Sequence, residues 1–287
     1  MTQQIWRRLI IIALSGFLVV ALLVGFRVAL WHATRPSSSP SRATQVVIQP
    51  GTVRWKTHIG EQVYSSPAIE QGVMYIGSTD HALYAINAAD GTIRWSFPTG
   101  NHVNAVPAVS NGSVYVGSDD HYFYALNTAD GVLRWKYHAN GFFGSTPRLV
   151  SGVIYVNALD QFVYAFNAKD GALRWKFRSG GGSSSVTVGL GVAYVGTDDG
   201  FVFALNAEDG SLRWKYQTEG VVYSSPYLTD GVLYVGSLDQ SIYALNATDG
   251  SLRWKYQTDN VVFSSPVVVE HVVYVGSSDG NVYALNT

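Results

Sequence analysis

Beyond residue 50, apolar and polar positions alternate in runs of five to eight residues, and each run ends in a turn. Residues 221–260 display one such unit. Val221–Leu228 comes first, followed by Val232-Leu233-Tyr234-Val235-Gly236-Ser237 and Ser241-Ile242-Tyr243-Ala244-Leu245-Asn246. Leu252-Arg253-Trp254-Lys255-Tyr256 closes the unit, alternating apolar with charged side chains. Asp230-Gly231, a turn at Asp239 and Asp249-Gly250 separate the four runs. Asp-Gly accepts the positive φ of tight hairpins, so the pattern predicts four antiparallel strands. No segment past residue 50 carries a helical period.

The unit recurs along the chain. Trp55, Trp95, Trp135, Trp175, Trp214 and Trp254 each follow an Arg, at spacings of 40, 40, 40, 39 and 40 residues. Four strands repeated at that period predict an all-β, six-bladed β-propeller of four-stranded antiparallel blades over residues 49–287. Ala284-Leu285-Asn286-Thr287 opens a motif that elsewhere runs Ala-x-Asn-x-x-Asp-Gly-x-x-x-Trp, and Gln49–Trp55 supplies its other half. The expectation is a ring closed by the N-terminal strand, with Val53–Thr57 as the outer strand of the sixth blade. Pro67, Pro107, Pro147, Pro226 and Pro266 recur in the first strand, where a missing N–H suits an inner edge. Arg and Lys in the fourth strand guard the outer edge against stray pairing.

The first 48 residues follow a different pattern. Leu9–Phe26 is an uninterrupted run of 18 apolar or small residues flanked by Trp6 and Trp31. At about 1.5 Å per residue the run reaches about 27 Å, near the thickness of a bilayer core. A signal peptide usually has a shorter apolar core, and the Ala33 cleavage position has Trp31 at −3. The expected layout is a cytoplasmic tail (1–8), a single-pass transmembrane anchor (9–30) and a Ser/Pro-rich linker (31–48). Arg7 and Arg8 favour a cytoplasmic N-terminus, which places the propeller outside the cytoplasm.

Charge and composition narrow the chemistry. Residues 1–50 hold five Arg and no acid, which leaves the repeats at a formal charge of −6. An acidic domain with no basic stripe argues against nucleic acid as a partner. With no Cys there is no disulfide, thiolate metal site or Cys nucleophile. Asp80, Asp120, Asp160, Asp199, Asp239 and Asp279 occupy equivalent turns, where a carboxylate bonds nearby backbone. His58, His81, His102, His121 and His138 fall in loops expected to share one face around blades one to three. With Arg148, the one charge directly after an inner-strand Pro, they form the candidate binding face. Gly180-Gly181-Gly182 marks the place where the fourth repeat is one residue short. No Gly-x-Ser-x-Gly elbow, phosphate loop or His-Glu-x-x-His occurs, so no catalytic or metal site is expected.

The run Tyr-Ala-Leu-Asn-Ala-x-Asp-Gly-x-Leu-Arg-Trp-Lys resembles the quinoprotein (PQQ-like) β-propeller repeat. That family's tryptophan-docking motif reads Ala-x-Asp-x-x-Thr-Gly-x-x-x-Trp. Ala85, Gly91 and Trp95 match it, whereas Asn87 stands at the Asp position and Asp90 at the Thr position. For quinoprotein dehydrogenases the resemblance implies eight motifs, a metal beside the quinone, an Asp base and a vicinal Cys pair. The repeats are also similar to the non-catalytic BamB branch, which implies eight blades and a lipidated Cys. This chain has six motifs and no Cys. The resulting expectation is a membrane-anchored binding or scaffolding propeller for a protein or small-ligand partner, without cofactor. A PQQ-dependent dehydrogenase or a quinone- or ligand-sensing ectodomain is the alternative.

Overall fold

The computed structural model describes residues 50–287. The expected tail (1–8), anchor (9–30) and linker (31–48) lie outside the described residues. Among the described residues, no helix is long and apolar enough to cross a membrane. Residues 53–287 form six antiparallel sheets in chain order. The first holds Ala68–Glu70, Val73–Ser78, Ala82–Asn87 and Ile93–Pro98, each strand bonded to the next. The second to fifth sheets repeat this order from Ala108, Arg148, Thr187 and Tyr227.

Within the fifth sheet the second and third strands span Val232–Ser237 and Ser241–Asn246, as the alternation predicts. The outer strand runs Leu252–Gln257. The inner strand is shorter than expected, covering only Tyr227–Thr229. Each inner Pro stands one residue before its strand, so the missing N–H sets where pairing begins. Outer Trp residues pair with a third-strand Ala (Trp95 with Ala85, Trp135 with Ala125), and the register shifts immediately afterwards.

The core lies between the sheets and is built from one repeated clamp. The indole N–H of Trp135 donates to the Ala168 carbonyl of the next sheet at 3.1 Å. The Tyr115 hydroxyl donates to that same oxygen at 3.0 Å. Trp175 and Tyr155 converge likewise on Ala207, and Trp214 and Tyr194 on Ala247. Gly171 lies beneath the Trp135 ring, where an added Cβ would sit 2.5 Å from the indole. Gly91, Gly131, Gly210 and Gly250 repeat that close approach at the other junctions. The Asp-Gly pair thus does two things: it supplies the positive φ of a turn and a flat seat for the preceding sheet's Trp.

A second device fixes the loops at one end of the sheets. The Tyr124 hydroxyl donates to Asp120 Oδ2 at 2.7 Å, and the Gly100 N–H donates to the same oxygen at 2.7 Å. Asp160, Asp239 and Asp279 are each bound by a Tyr hydroxyl and a backbone N–H from the preceding loop. Burial, and then the adjoining carboxylate, push the Tyr84 and Tyr243 phenols up to about 12, so they act as donors. The turn reading of these Asp residues is what the structure shows.

Closure by the N-terminal strand is not seen. The sixth sheet has three strands (Val267–Val269, Val272–Gly276 and Val282–Asn286), and Val53–Thr57 forms no strand. That segment is instead seated on the first sheet, with Trp55 Nε1 donating to the Ala88 carbonyl at 3.0 Å and Thr57 Oγ1 donating to Gly91. The clamp recurs at the first four junctions between sheets, whereas Trp254, at the fifth, donates no indole hydrogen bond. Among the described residues, no strand pairs with the free side of Val282–Asn286.

Two outcomes follow. Gly171→Ala and Gly152→Ala both place Ala at positive φ (+73° and +76°), but only position 171 is occupied from above. Gly171→Ala should lose about 1–3 kcal/mol more than Gly152→Ala, read from urea midpoints. Equal losses would mean that the indole seat has no packing role. Tyr164→Phe removes one of the two donors to Asp160 Oδ2 and should cost about 1–2 kcal/mol in the same measurement.

Candidate functional site

His81 and His121 occupy equivalent turns in the left-handed region, at φ +70° and +72°. The His81 ring lies 5.1 Å from that of His102, which is in the loop entering the second sheet. His121 lies 6.2 Å from His138, and His138 meets the Tyr122 ring edge-on at 4.8 Å. His138 is the last residue of an outer strand, not a loop residue as the sequence suggested. His58 is exposed and shares no ring contact with the other four. The expected five-histidine cluster is therefore two pairs on successive turns, with His58 apart.

His102 Nδ1 stands 3.9 Å from Asp119 Oδ2, and Asn104 Nδ2 donates to that carboxylate oxygen at 2.8 Å. Burial holds the Asp119 carboxyl above the usual range, opposed by the Asn104 bond and the neighbouring His102. Among the described residues, no group of three His, Asp or Glu side chains converges as a metal site would require. Arg148 is exposed at the start of the third sheet's inner strand, opposite Tyr155. A quinone site of the kind the resemblance implies needs a vicinal Cys pair and a metal beside the cofactor. The chain has no Cys and no such donor group among the described residues, so the residues present do not fit it.

The open flank of the sixth sheet was missed by sequence reasoning. Val282 is 78% exposed, whereas Ile242, its counterpart in the fifth sheet, is fully buried. Tyr274 is exposed where Tyr234 is buried, and Val267 and Val269 are exposed beside it. Among the described residues, no strand pairs with the outer side of Val282–Asn286. Trp254, in the fifth sheet, makes no indole hydrogen bond, and with Tyr256 and Leu285 it lines a groove of about 240 Å³. At the opposite end of the array, Val53 is 81% exposed and Ile69 and Tyr64 are also exposed. The only sequence signal for this was the lone Arg54-Trp55 that precedes the first full repeat.

The family model described as outer membrane protein assembly factor BamB matches residues 37–106, 98–188 and 163–287. No curated protein matches the chain. Among solved structures, BamB from Moraxella catarrhalis superposes with a TM-score of 0.71 at 20% identity, over 83% of this chain and 76% of that one. The computationally designed Ika8 protein gives a TM-score of 0.71 at 14% identity, over 81% of this chain and 73% of that one. The quinohemoprotein alcohol dehydrogenase ADHIIG from Pseudomonas putida HK5 gives 0.61 at 20% identity, over 72% of this chain but only 44% of that one. At these identities the likenesses show the propeller fold alone. The six repeated sheets and the matches spanning 37–287 place the chain in the PQQ-like repeat family of outer membrane protein assembly factor BamB.

Proposed function

We propose that this chain is a protein-binding scaffold without catalysis, held at a membrane by residues 9–30 with its sheets outside the cytoplasm. The family match supports a scaffold, and the open sixth sheet carries the reading. An edge strand with free N–H and C=O groups, beside exposed apolar side chains, is a template for strand addition by a partner. Such edges are normally covered, and covering each of these side chains is worth about 1.5–3 kcal/mol. In the first five sheets that position is filled by an outer strand carrying a central Trp, so the partner strand presents an aromatic side chain opposite Ala284. The loop face with His81, His102, His121, His138 and Arg148 is a second contact surface for the same partner. The quinone-dependent alternative has only a fold likeness behind it, one covering under half of the dehydrogenase.

A photo-crosslinking residue at Val282, in intact membranes, should capture a second protein, while one at exposed Val132 should not. The rival occupant is the chain's own Val53–Thr57 segment. In the register that pairs Phe123 with Tyr137, Val282 would face Thr57. The chain has no native Cys, so a Thr57→Cys, Val282→Cys protein tests this cleanly. Disulfide formation within one chain, with no protein adduct at Val282, would overturn the docking reading.

A further inference from the structure

The fourth sheet breaks the loop brace described above. Of the six equivalent turn carboxylates, only Asp199 is bound by neither a Tyr hydroxyl nor a loop N–H; Thr197 alone donates to it, through Oδ1. Two separate sequence changes cause this. Phe203 stands where the other sheets have Tyr84, Tyr124, Tyr164, Tyr243 and Tyr283, so the phenol oxygen is gone. The preceding loop is one residue short, and Gly180, Gly181 and Gly182 cross it at φ +98°, +80° and +139°.

Beside the shortened loop a buried hydroxyl has no partner. Thr99, Thr218 and Thr258 occupy the position after the outer strand in their repeats, and each donates to two backbone carbonyls. Ser179 holds that position in the third repeat, is 1% exposed, and its Oγ has no partner. A buried hydroxyl without a partner costs roughly 1–3 kcal/mol, so it marks a place where something is expected to bind. Beside it, Asp198 Oδ1 is also buried and unpartnered. Burial, then the Asp199 charge, hold the Asp198 carboxyl above the usual range.

Ser179 and Asp199, but not Asp198, open onto a cavity of about 420 Å³ between the third and fourth sheets. Ser179 and Asp199 lie on its walls, with Phe201 and Phe203 providing aromatic surface. Arg178 also lines it, oriented by Nε and Nη2 bonds to Gln161 Oε1 at 3.2 and 2.8 Å, and makes no ion pair among the described residues. Lys215 lies at the rim, 4.6 Å from the Phe201 ring centroid. At about 30 Å³ per water-sized group, the space suits roughly ten to fourteen non-hydrogen atoms.

The intact repeats show what is missing. There, the chain brings two donors to the carboxylate Oδ2, and, where Thr holds the position after the outer strand, two acceptor oxygens to the hydroxyl. A ligand completing the third and fourth repeats must supply the same set. An ammonium group offers donors for Asp199, and a carboxylate offers acceptors for Ser179 and Arg178. We propose that this cavity binds a small zwitterion of the α-amino acid class, with its ammonium on Asp199 and its carboxylate on Ser179 and Arg178. This site stands independently of strand docking at the sixth sheet.

Isothermal titration of the full chain in detergent tests the assignment, with glycine, leucine and glutamate as probes. Acetate and methylamine carry one charge each, and glucose carries neither. At least one amino acid should bind saturably below millimolar concentration, and the single-charge compounds should be about tenfold weaker or worse, having lost one ionic anchor. Asp199→Asn should weaken binding by about tenfold. Phe203→Tyr should return a hydroxyl to Asp199, raise the melting temperature and abolish binding. If no amino acid gives a binding heat, or if Asp199→Asn and Phe203→Tyr bind as well as the parent, the site is refuted. Glucose or acetate binding as tightly as the amino acids would refute the ligand class.

Discussion

The hydrogen bond from an outer-strand indole to a carbonyl of the next sheet organises everything else in this molecule. That carbonyl also takes a Tyr hydroxyl, and a glycine lies under the ring. Two buried donors therefore meet one acceptor, and three residues far apart in sequence fix how one sheet leans on its neighbour. A buried N–H left unpaired would cost roughly as much as several surface contacts supply, so the geometry is tightly held. Sheets pack on their neighbours in chain order, as in other repeat proteins, and the same clamp recurs at the first four junctions.

The features that carry functional meaning are departures from that repetition. At the sixth sheet no outer strand arrives among the described residues, and side chains that are buried elsewhere are exposed. Between the third and fourth sheets a phenol and one loop residue are missing, which leaves a carboxylate and a hydroxyl with partners only in part. In both places the intact repeats show what the absent partner must look like: a strand with a central aromatic in one case, paired donor and acceptor groups in the other.

Much of this was legible in the sequence, because alternation and Asp-Gly turns are local signals. The second and third strands of the fifth sheet begin and end where the pattern places them. Inner strands came out short, since the prolines stand just ahead of pairing rather than within it. Ring closure was misread for a physical reason. Complementary motif halves at 284–287 and 49–55 show that an outer strand is compatible with the last sheet. They do not say where that strand packs, and Trp55 and Thr57 hold Val53–Thr57 on the first sheet instead. Histidine positions could be assigned to turns, but only side-chain packing reveals His81 with His102 and His121 with His138 as pairs. Phe203 passed unnoticed because Tyr-to-Phe looks neutral in a strand; its meaning appears only once Asp199 is seen to lack a donor.

Among the described residues, the outer side of Val282–Asn286 is unpaired. Amide hydrogen exchange on the isolated chain reads this directly, by comparing 282–286 with the equivalent third strand 241–246. About half of the 282–286 amides should exchange at rates typical of a free edge while those of 241–246 stay protected, because an edge strand pairs on one side only. Equal protection of the two segments would show that a strand already covers the sixth sheet, and would contradict the account.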